Sequence, residues 1–348
     1  MRLERLVAGR PPSSDLVGAV LPRDLRVGGE RWSKGRRLSA EDLARLAADA
    51  AVSGGEPPVV VLVPEPGDLH EDEAAIRLAG AVAGPGLESR GPAESRVDLL
   101  AAVDGVVRIR IAALERLDRI DPLEVFTVYD GQVVRAGDLV ASVKVAPQLV
   151  AEAVVRRGEA VARAGGPVVS VAGFRPGRVG VLVKESVHGP ARDRFEASVR
   201  AKVEGLGSVV SAIVYVADDP VAVASAFRAL RRGGATLILT AGARSMDPSD
   251  ACFLALEELG GTVVRRGVPA HPGSMLWLAR LGRVPVLGLP TCGAYSKATA
   301  ADLLLPRLLA GEPASRATIA RLGHGGILTR AMRFRFPAYA RELEAPEG

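Results

Sequence analysis

From Val179 onward, short apolar runs alternate with longer stretches of mixed polarity. The runs at 179–184, 208–216, 235–240 and 262–269 predict strands. The intervening stretches at 191–204, 220–232 and 248–259, and a last one at 298–309, predict helices. Two further runs, 275–281 and 284–289, predict paired strands around Gly282-Arg283. Strands alternating with helices of this size imply βαβ units, an α/β fold and a mostly parallel sheet.

The N-terminal half lacks this rhythm. Ser39 with Asp42 three residues later is a capping-box pattern, and a helix is expected at 41–49. A Gly-Gly-Glu-Pro-Pro turn at 54–58 precedes an apolar strand at 59–63. The stretch from Asp68 to Leu78 reads as a capped amphipathic helix, 84–92 as a loop, and 111–120 as a helix. A β-rich segment follows near 123–145, with strands at 123–129, 132–135 and 139–145. Its Asp130-Gly131 dipeptide is a hairpin signal. A helix at 150–164 ends at Gly165-Gly166, a strand covers 167–172, and 174–177 reads as a linker. The expected division is an N-terminal α+β region over 1–175, a second domain over 178–311 and a tail over 312–348.

Composition narrows the function classes. The 348 residues are 48% hydrophobic and 24% charged, a globular balance. Net charge is +5, carried mostly by arginine, yet basic residues are interleaved with acids throughout. A mixed, solvated surface fits this better than a nucleic-acid surface. Two cysteines imply neither a disulfide framework nor a metal site. No apolar run reaches the roughly 18 residues of a membrane helix, and the N-terminus has no signal-peptide core. A cytoplasmic protein without membrane partners is the expectation.

In an open α/β sheet, ligands sit beyond the carboxyl ends of the strands, and three such ends are rich in polar or small residues. The first is Thr240-Ala241-Gly242-Ala243-Arg244-Ser245, followed by Asp247, Pro248 and Asp250. Small residues let a ligand approach the backbone, Pro248 suits a first helical turn, and a helix start attracts an anion. Asp247 and Asp250 either cap this helix or hold Mg²⁺ through oxygen ligands. The second end is the turn from His271 through Pro272, Gly273 and Ser274. The third is Pro290-Thr291-Cys292, where a hydroxyl and backbone amides suit another anion. Cys292 also carries a thiol at a helix start.

Taken together these segments resemble the molybdopterin-binding (MoaB/Mog-like) domain shared by molybdopterin adenylyltransferase and molybdopterin molybdenumtransferase. The resemblance runs through Thr240-Ala241-Gly242 with Asp247 and Asp250, then Glu257-Glu-Leu-Gly-Gly-Thr-Val-Val264, His271-Pro-Gly-Ser-Met275 and Gly288-Leu-Pro-Thr-Cys292. It covers roughly 178–311 and implies a three-layer α/β sandwich. Departures point to a divergent bacterial branch. The glycine pair is Ala241-Gly242, His271 and Ser274 replace the lysines of the Pro-Gly turn, and the Gly-Asn-Pro after the last strand is missing. A nucleotidyltransferase sometimes fused to that branch has no counterpart before the chain ends. Fainter similarity touches 17–22, 34–42, 65–75 and 134–145.

The resemblance implies binding of molybdopterin, or its nucleotide or metal-loaded form, during molybdenum cofactor biosynthesis. Thr240 to Ser245, Pro272 to Ser274 and Pro290 to Cys292 would line the ligand, and Asp247 and Asp250 would be the catalytic and Mg²⁺-holding acids. The enzyme it implies is a molybdenumtransferase-like transferase, inserting molybdate or processing adenylylated molybdopterin, and a homo-oligomer. The alternatives are a non-catalytic carrier that delivers the cofactor to a molybdoenzyme, and a pyrophosphatase acting on ADP-ribose.

Overall fold

The computed structural model describes residues 1–6, 13–49, 59–184, 188–289 and 298–342. It divides into two units that interleave along the chain. One comprises Met1–Ala102, Ile109–Val128 and Ala136–Ser170, the other Val103–Arg108, Tyr129–Arg135 and Val171–Gly348.

In the first unit, strands Leu87–Ala93, Arg96–Ala101, Leu139–Val145 and Leu123–Thr127 lie side by side in that order. The stretch expected to be a loop at 84–92 is therefore mostly an edge strand. Its side chains are exposed along nearly the whole length, so no apolar alternation marks it in the sequence. Helices Glu71–Val82 and Glu152–Arg163 pack together, with Arg77 donating to Glu152 at 3.0 Å and Glu159 at 2.9 Å. Ser39 and Asp42 form the expected capping box, opening helix Ala40–Ala48.

The Asp130-Gly131 hairpin does not form. Strand Leu123–Thr127 pairs with Leu139–Val145, whereas Val133–Val134 pairs with Gly105–Ile109. The turn instead receives buried Arg307, which donates to the Asp130 carboxylate at 3.2 Å and also pairs with Glu312 at 3.2 Å. A side chain at Gly131 would fall on that guanidinium. The dipeptide makes a turn as its chemistry requires, but Arg307 decides what the turn docks against.

The second unit is built on one six-stranded sheet. Its strands are β1 (Arg178–Val183), β2 (Val209–Tyr215), β3 (Leu237–Ala241), β4 (Thr262–Arg266), β5 (Trp277–Leu281) and β6 (Val284–Gly288). Their spatial order is β2-β1-β3-β6-β5-β4. The pairs β1–β2, β1–β3 and β3–β6 are parallel, and β5 runs antiparallel to both its neighbours. Helices are α1 (Pro190–Glu204), α2 (Pro220–Arg232), α3 (Ala251–Glu258) and α4 (Ala300–Leu309).

Side-chain alternation sorts these helices into two layers. Val179, Val181, Val183, Leu237, Leu239 and Leu287 face one core with Phe195, Val199 and Val203 of α1 and Leu304, Leu305 and Leu308 of α4. Leu182, Ile238 and Val286 face the other, with Val223, Phe227 and Leu230 of α2 and Cys252, Phe253 and Leu256 of α3. The result is a three-layer α/β sandwich around a mostly parallel sheet, as the resemblance implies. The stretch expected to be a separate tail belongs to this unit: Ile319, Leu322, Phe336 and Ala340 are buried in the α1/α4 core.

A fully buried ion pair bridges α1 and α4 inside that core. Lys202 Nζ lies 2.5 Å from Asp302 Oδ1, both side chains are inaccessible to solvent, and the Tyr339 ring sits 5.6 Å from the ammonium. Burial pushes the Tyr339 hydroxyl well above its ordinary value. Asp302 also completes a capping box by accepting the Thr299 amide at 2.9 Å.

Candidate functional site

Strands β1, β3 and β6 end together. Lys184 N donates to Ala241 O at 2.9 Å, and Leu289 N donates to Thr240 O at 2.8 Å, so the ladder continues just past the strands. Leu182, Thr240, Gly288 and Trp277 lie in one lateral row across β1, β3, β6 and β5. Because Trp277 begins β5, the loop before it leaves the same sheet edge as the loop after Thr240.

The end of β3 and the loop after it hold eight of the expected site residues: Thr240 and Ala241 in the strand, then Gly242, Ala243, Arg244, Ser245, Asp247 and Asp250. Gly242 has φ +88°, a left-handed conformation suited to glycine. The helix starts later than expected, at Ala251 rather than Pro248. Asp250 is its cap and accepts the Cys252 amide at 2.9 Å. Pro248 lies in the turn before it, where Asp247 accepts the Ser249 amide at 2.9 Å and its hydroxyl at 2.6 Å.

Two residues not singled out as site residues meet this loop. Lys184 is carried one position past β1, to the α2/α3 face. Its ammonium lies 2.6 Å from Asp250 Oδ2 and 2.7 Å from Asp218 Oδ1. Asp218 follows β2 and precedes Asp219, the cap of α2. Arg244 closes the ring. Its amide donates to Asp250 Oδ2 at 2.9 Å, its guanidinium to Asp218 Oδ2 at 3.0 Å, and its Nε lies 3.8 Å from Asp247. A lysine ending the apolar run Val179-Gly-Val-Leu-Val183 was the available signal, but its partners lie on other strand ends.

The cluster is strongly coupled. Burial works against the Asp250 carboxylate, yet Lys184 and the amides of Arg244 and Cys252 hold it below the ordinary aspartate range. Burial alone would lower the Lys184 ammonium, but hydrogen bonds to Asp218 and Asp250 raise it. Burial, reinforced by Asp250, pushes the neighbouring Cys252 thiol up to about 12, so it remains protonated at neutral pH.

These directions fix a pH dependence. Asp250 contributes stability above its unfolded value of 3.8, and this is lost as pH falls through the lower folded value. Lys184 contributes below its unfolded value of 10.5, and this is lost as pH rises through the higher folded value. The stability difference between wild type and Lys184→Met is therefore expected to be largest near neutral pH and to shrink on acidification and in strong alkali. Thermal melts across pH check this; a difference that widens on acidification would contradict it.

The second loop packs on the start of α4. Pro272 O accepts the Ala300 amide at 2.9 Å, and Ser274 O accepts the Val268 amide at 2.9 Å. Gly273 has φ +102°, and a Cβ there would lie 2.8 Å from Ala300 N. Pro272, Gly273 and Ser274 thus flank the edge near α4, while the Thr240–Asp250 loop flanks it near α3. Pro290, Thr291 and Cys292 lie outside the described residues.

Two hydroxyls at the first loop are unspent. Among the described residues, buried Thr240 Oγ1 and Ser245 Oγ have no hydrogen-bond partner, nor does the indole N–H of Trp277 in the same row as Thr240. The carboxylates differ, because every oxygen of Asp218 and Asp250 faces a donor or cation of the chain itself. Among the described residues, no three His, Cys, Asp or Glu side chains are grouped to hold a metal ion. This arrangement lends no support to the expected Mg²⁺ site at Asp247 and Asp250.

A mostly parallel sheet whose strands end in a ring of charged and small residues defines an α/β sandwich domain. Residues 179–310 match the family model described as a probable molybdopterin binding domain, and this segment is a domain of that MoaB/Mog-like kind. No curated protein matches the chain. Among solved structures, it is similar to a molybdopterin biosynthesis MoeA protein from Pyrococcus horikosii, at 15% identity over 74% of this chain and 81% of that one, with a TM-score of 0.32. A molybdopterin biosynthesis protein from Mycobacterium abscessus is 19% identical over 34% of this chain and 84% of its own, with a TM-score of 0.27. A MogA structure is 16% identical over 38% of this chain and 94% of its own, with a TM-score of 0.25. Among the described residues, no helix is long and apolar enough to cross a membrane.

Proposed function

We propose that the second unit binds molybdopterin, or its nucleotide, at the edge formed by the ends of β1, β3 and β6, and serves molybdenum cofactor biosynthesis. The observation that carries this reading is the pair of buried hydroxyls, Thr240 at the end of β3 and Ser245 on the loop after it, that have no partner among the described residues of a molybdopterin-binding-type domain. A buried polar group without a partner costs roughly 1–3 kcal/mol, and a polar ligand arriving at the loop relieves that cost. The half-exposed Gly242 and Ala243 let a ligand reach backbone. Arg244, with its exposed guanidinium, is the charged partner for the pterin phosphate. Its own amide serves Asp250, so the anion is assigned to other amides of this loop, those of Gly242, Ala243 and Ser245. Ser274 completes the polar edge among the described residues.

Titration with the fluorescent oxidised pterin tests the reading. Saturable binding is expected, and absence of saturation in the folded protein would overturn it. Thr240→Val should weaken binding about tenfold while leaving the melting temperature unchanged or higher, because it removes an unsatisfied hydroxyl at constant shape. Arg244→Ala should weaken binding by a similar factor. Release of AMP from adenylylated molybdopterin in the presence of molybdate would assign a transferase, with Asp247 orienting the attacking group. Tight binding without release would assign a carrier.

A further inference from the structure

We infer that the Lys184 ammonium permanently occupies the place a divalent cation would take between Asp218 and Asp250, so that this pocket binds its ligand without a metal ion. The inference rests on the proposed function only for the identity of the ligand; the state of the carboxylates is independent of it. Two carboxylates brought together at the mouth of a phosphate-binding fold are an obvious seat for Mg²⁺, which takes carboxylate oxygens at about 2.0–2.1 Å in octahedral order. Here those oxygens are engaged. Asp250 Oδ2 receives Lys184 Nζ at 2.6 Å and Arg244 N at 2.9 Å, and Asp250 Oδ1 receives Cys252 N at 2.9 Å. Asp218 Oδ1 receives Lys184 Nζ at 2.7 Å, and Asp218 Oδ2 receives Arg244 Nη2 at 3.0 Å.

The ammonium is also held from behind. Its side chain is 1% exposed and it lies directly after a strand buried on both faces, so it cannot swing into solvent without leaving the buried Asp250 carboxylate to the more distant Arg244 guanidinium, whose Nε is 3.6 Å away. A metal entering between the two aspartates would have to expel the lysine and break the cap of α3 at once. Lys184, Asp218 and Asp250 are accordingly a positioning group. The pair of acids orients the lysine, and the lysine fixes the loop that carries Thr240 to Ser245.

The test is direct metal binding by the full chain, with Mn²⁺ as the probe read by electron paramagnetic resonance. Wild type is expected to show no saturable site, and its melting temperature to be the same in EDTA and in excess Mg²⁺. Lys184→Ala should gain one Mn²⁺ site at least about tenfold tighter than any in wild type, lost again in Lys184→Ala/Asp250→Asn. A saturable Mn²⁺ site in wild type that disappears in Asp218→Asn, whose side chain is half-exposed and can be replaced without unfolding, would overturn the inference even if Lys184→Ala does not fold. So would pterin binding that EDTA abolishes and Mg²⁺ restores. Failure of pterin to bind at all would count against the proposed ligand and leave the metal result to be read by itself.

Discussion

Replacing Lys202 with methionine is expected to cost about 3–5 kcal/mol of stability, because it strands the Asp302 carboxylate in a core with no access to water. The apolar stem of methionine fills most of the lysine's volume, so the loss is electrostatic rather than a cavity effect. The decisive comparison is Lys202→Met with Asp302→Asn. The asparagine keeps a carbonyl oxygen for the Thr299 amide, preserving the cap of α4 while removing the buried charge. The double variant should therefore recover most of the lost stability, measured by urea denaturation. A double variant no better than the single one would mean that the ion pair is not the source of the cost. The effect should extend to the site, since Thr299 and Ala300 also support the Pro272–Ser274 loop.

Gly288→Ala is expected to destabilise the second unit by about 3 kcal/mol, a large value for a single added methyl group. A Cβ at position 288 would fall within the indole of Trp277, the facing residue on β5. Trp277 cannot retreat easily, because it is buried and makes an edge contact with Phe253, ring centres 5.0 Å apart. Either the indole leaves its pocket or β5 shifts against β6. Combining Gly288→Ala with Trp277→Val should restore part of the stability by making room, as followed by thermal melts. If Gly288→Ala alone melts like wild type, the contact is not tight in solution.

These two positions mark what the sequence does and does not reveal. The strands and helices from 178 to 309 were legible because runs such as Val179-Gly-Val-Leu-Val183 and Leu237-Ile-Leu239 are too apolar for anything but a sheet covered on both faces. The candidate site's main loop is visible for the same reason, lying directly after one of those runs. Lys184 was not, because its meaning comes from Asp218 and Asp250, 34 and 66 residues away. The Lys202–Asp302 pair spans 100 residues and leaves no local trace. Asp130-Gly131 shows the converse error, in which strong turn chemistry predicted a hairpin because nothing local announces Arg307. The start of α3 was misplaced by Pro248, whose preference for a first turn lost to the cap that Asp250 makes.

The interleaving of the two units has a consequence for the order of synthesis. The segments 103–108 and 129–135 belong to the second unit, yet they leave the ribosome well before β1 to β6 exist. Strand Gly105–Ile109 lies between Val133–Val134 and Val169–Gly173 in a small sheet, so that sheet must wait for the chain to reach residue 173. Arg307, the side chain that receives the Asp130 turn, arrives later still. The first unit can close around its own core once residue 170 has emerged, but the second unit assembles only near the end of translation. No single cut in the chain would release it whole.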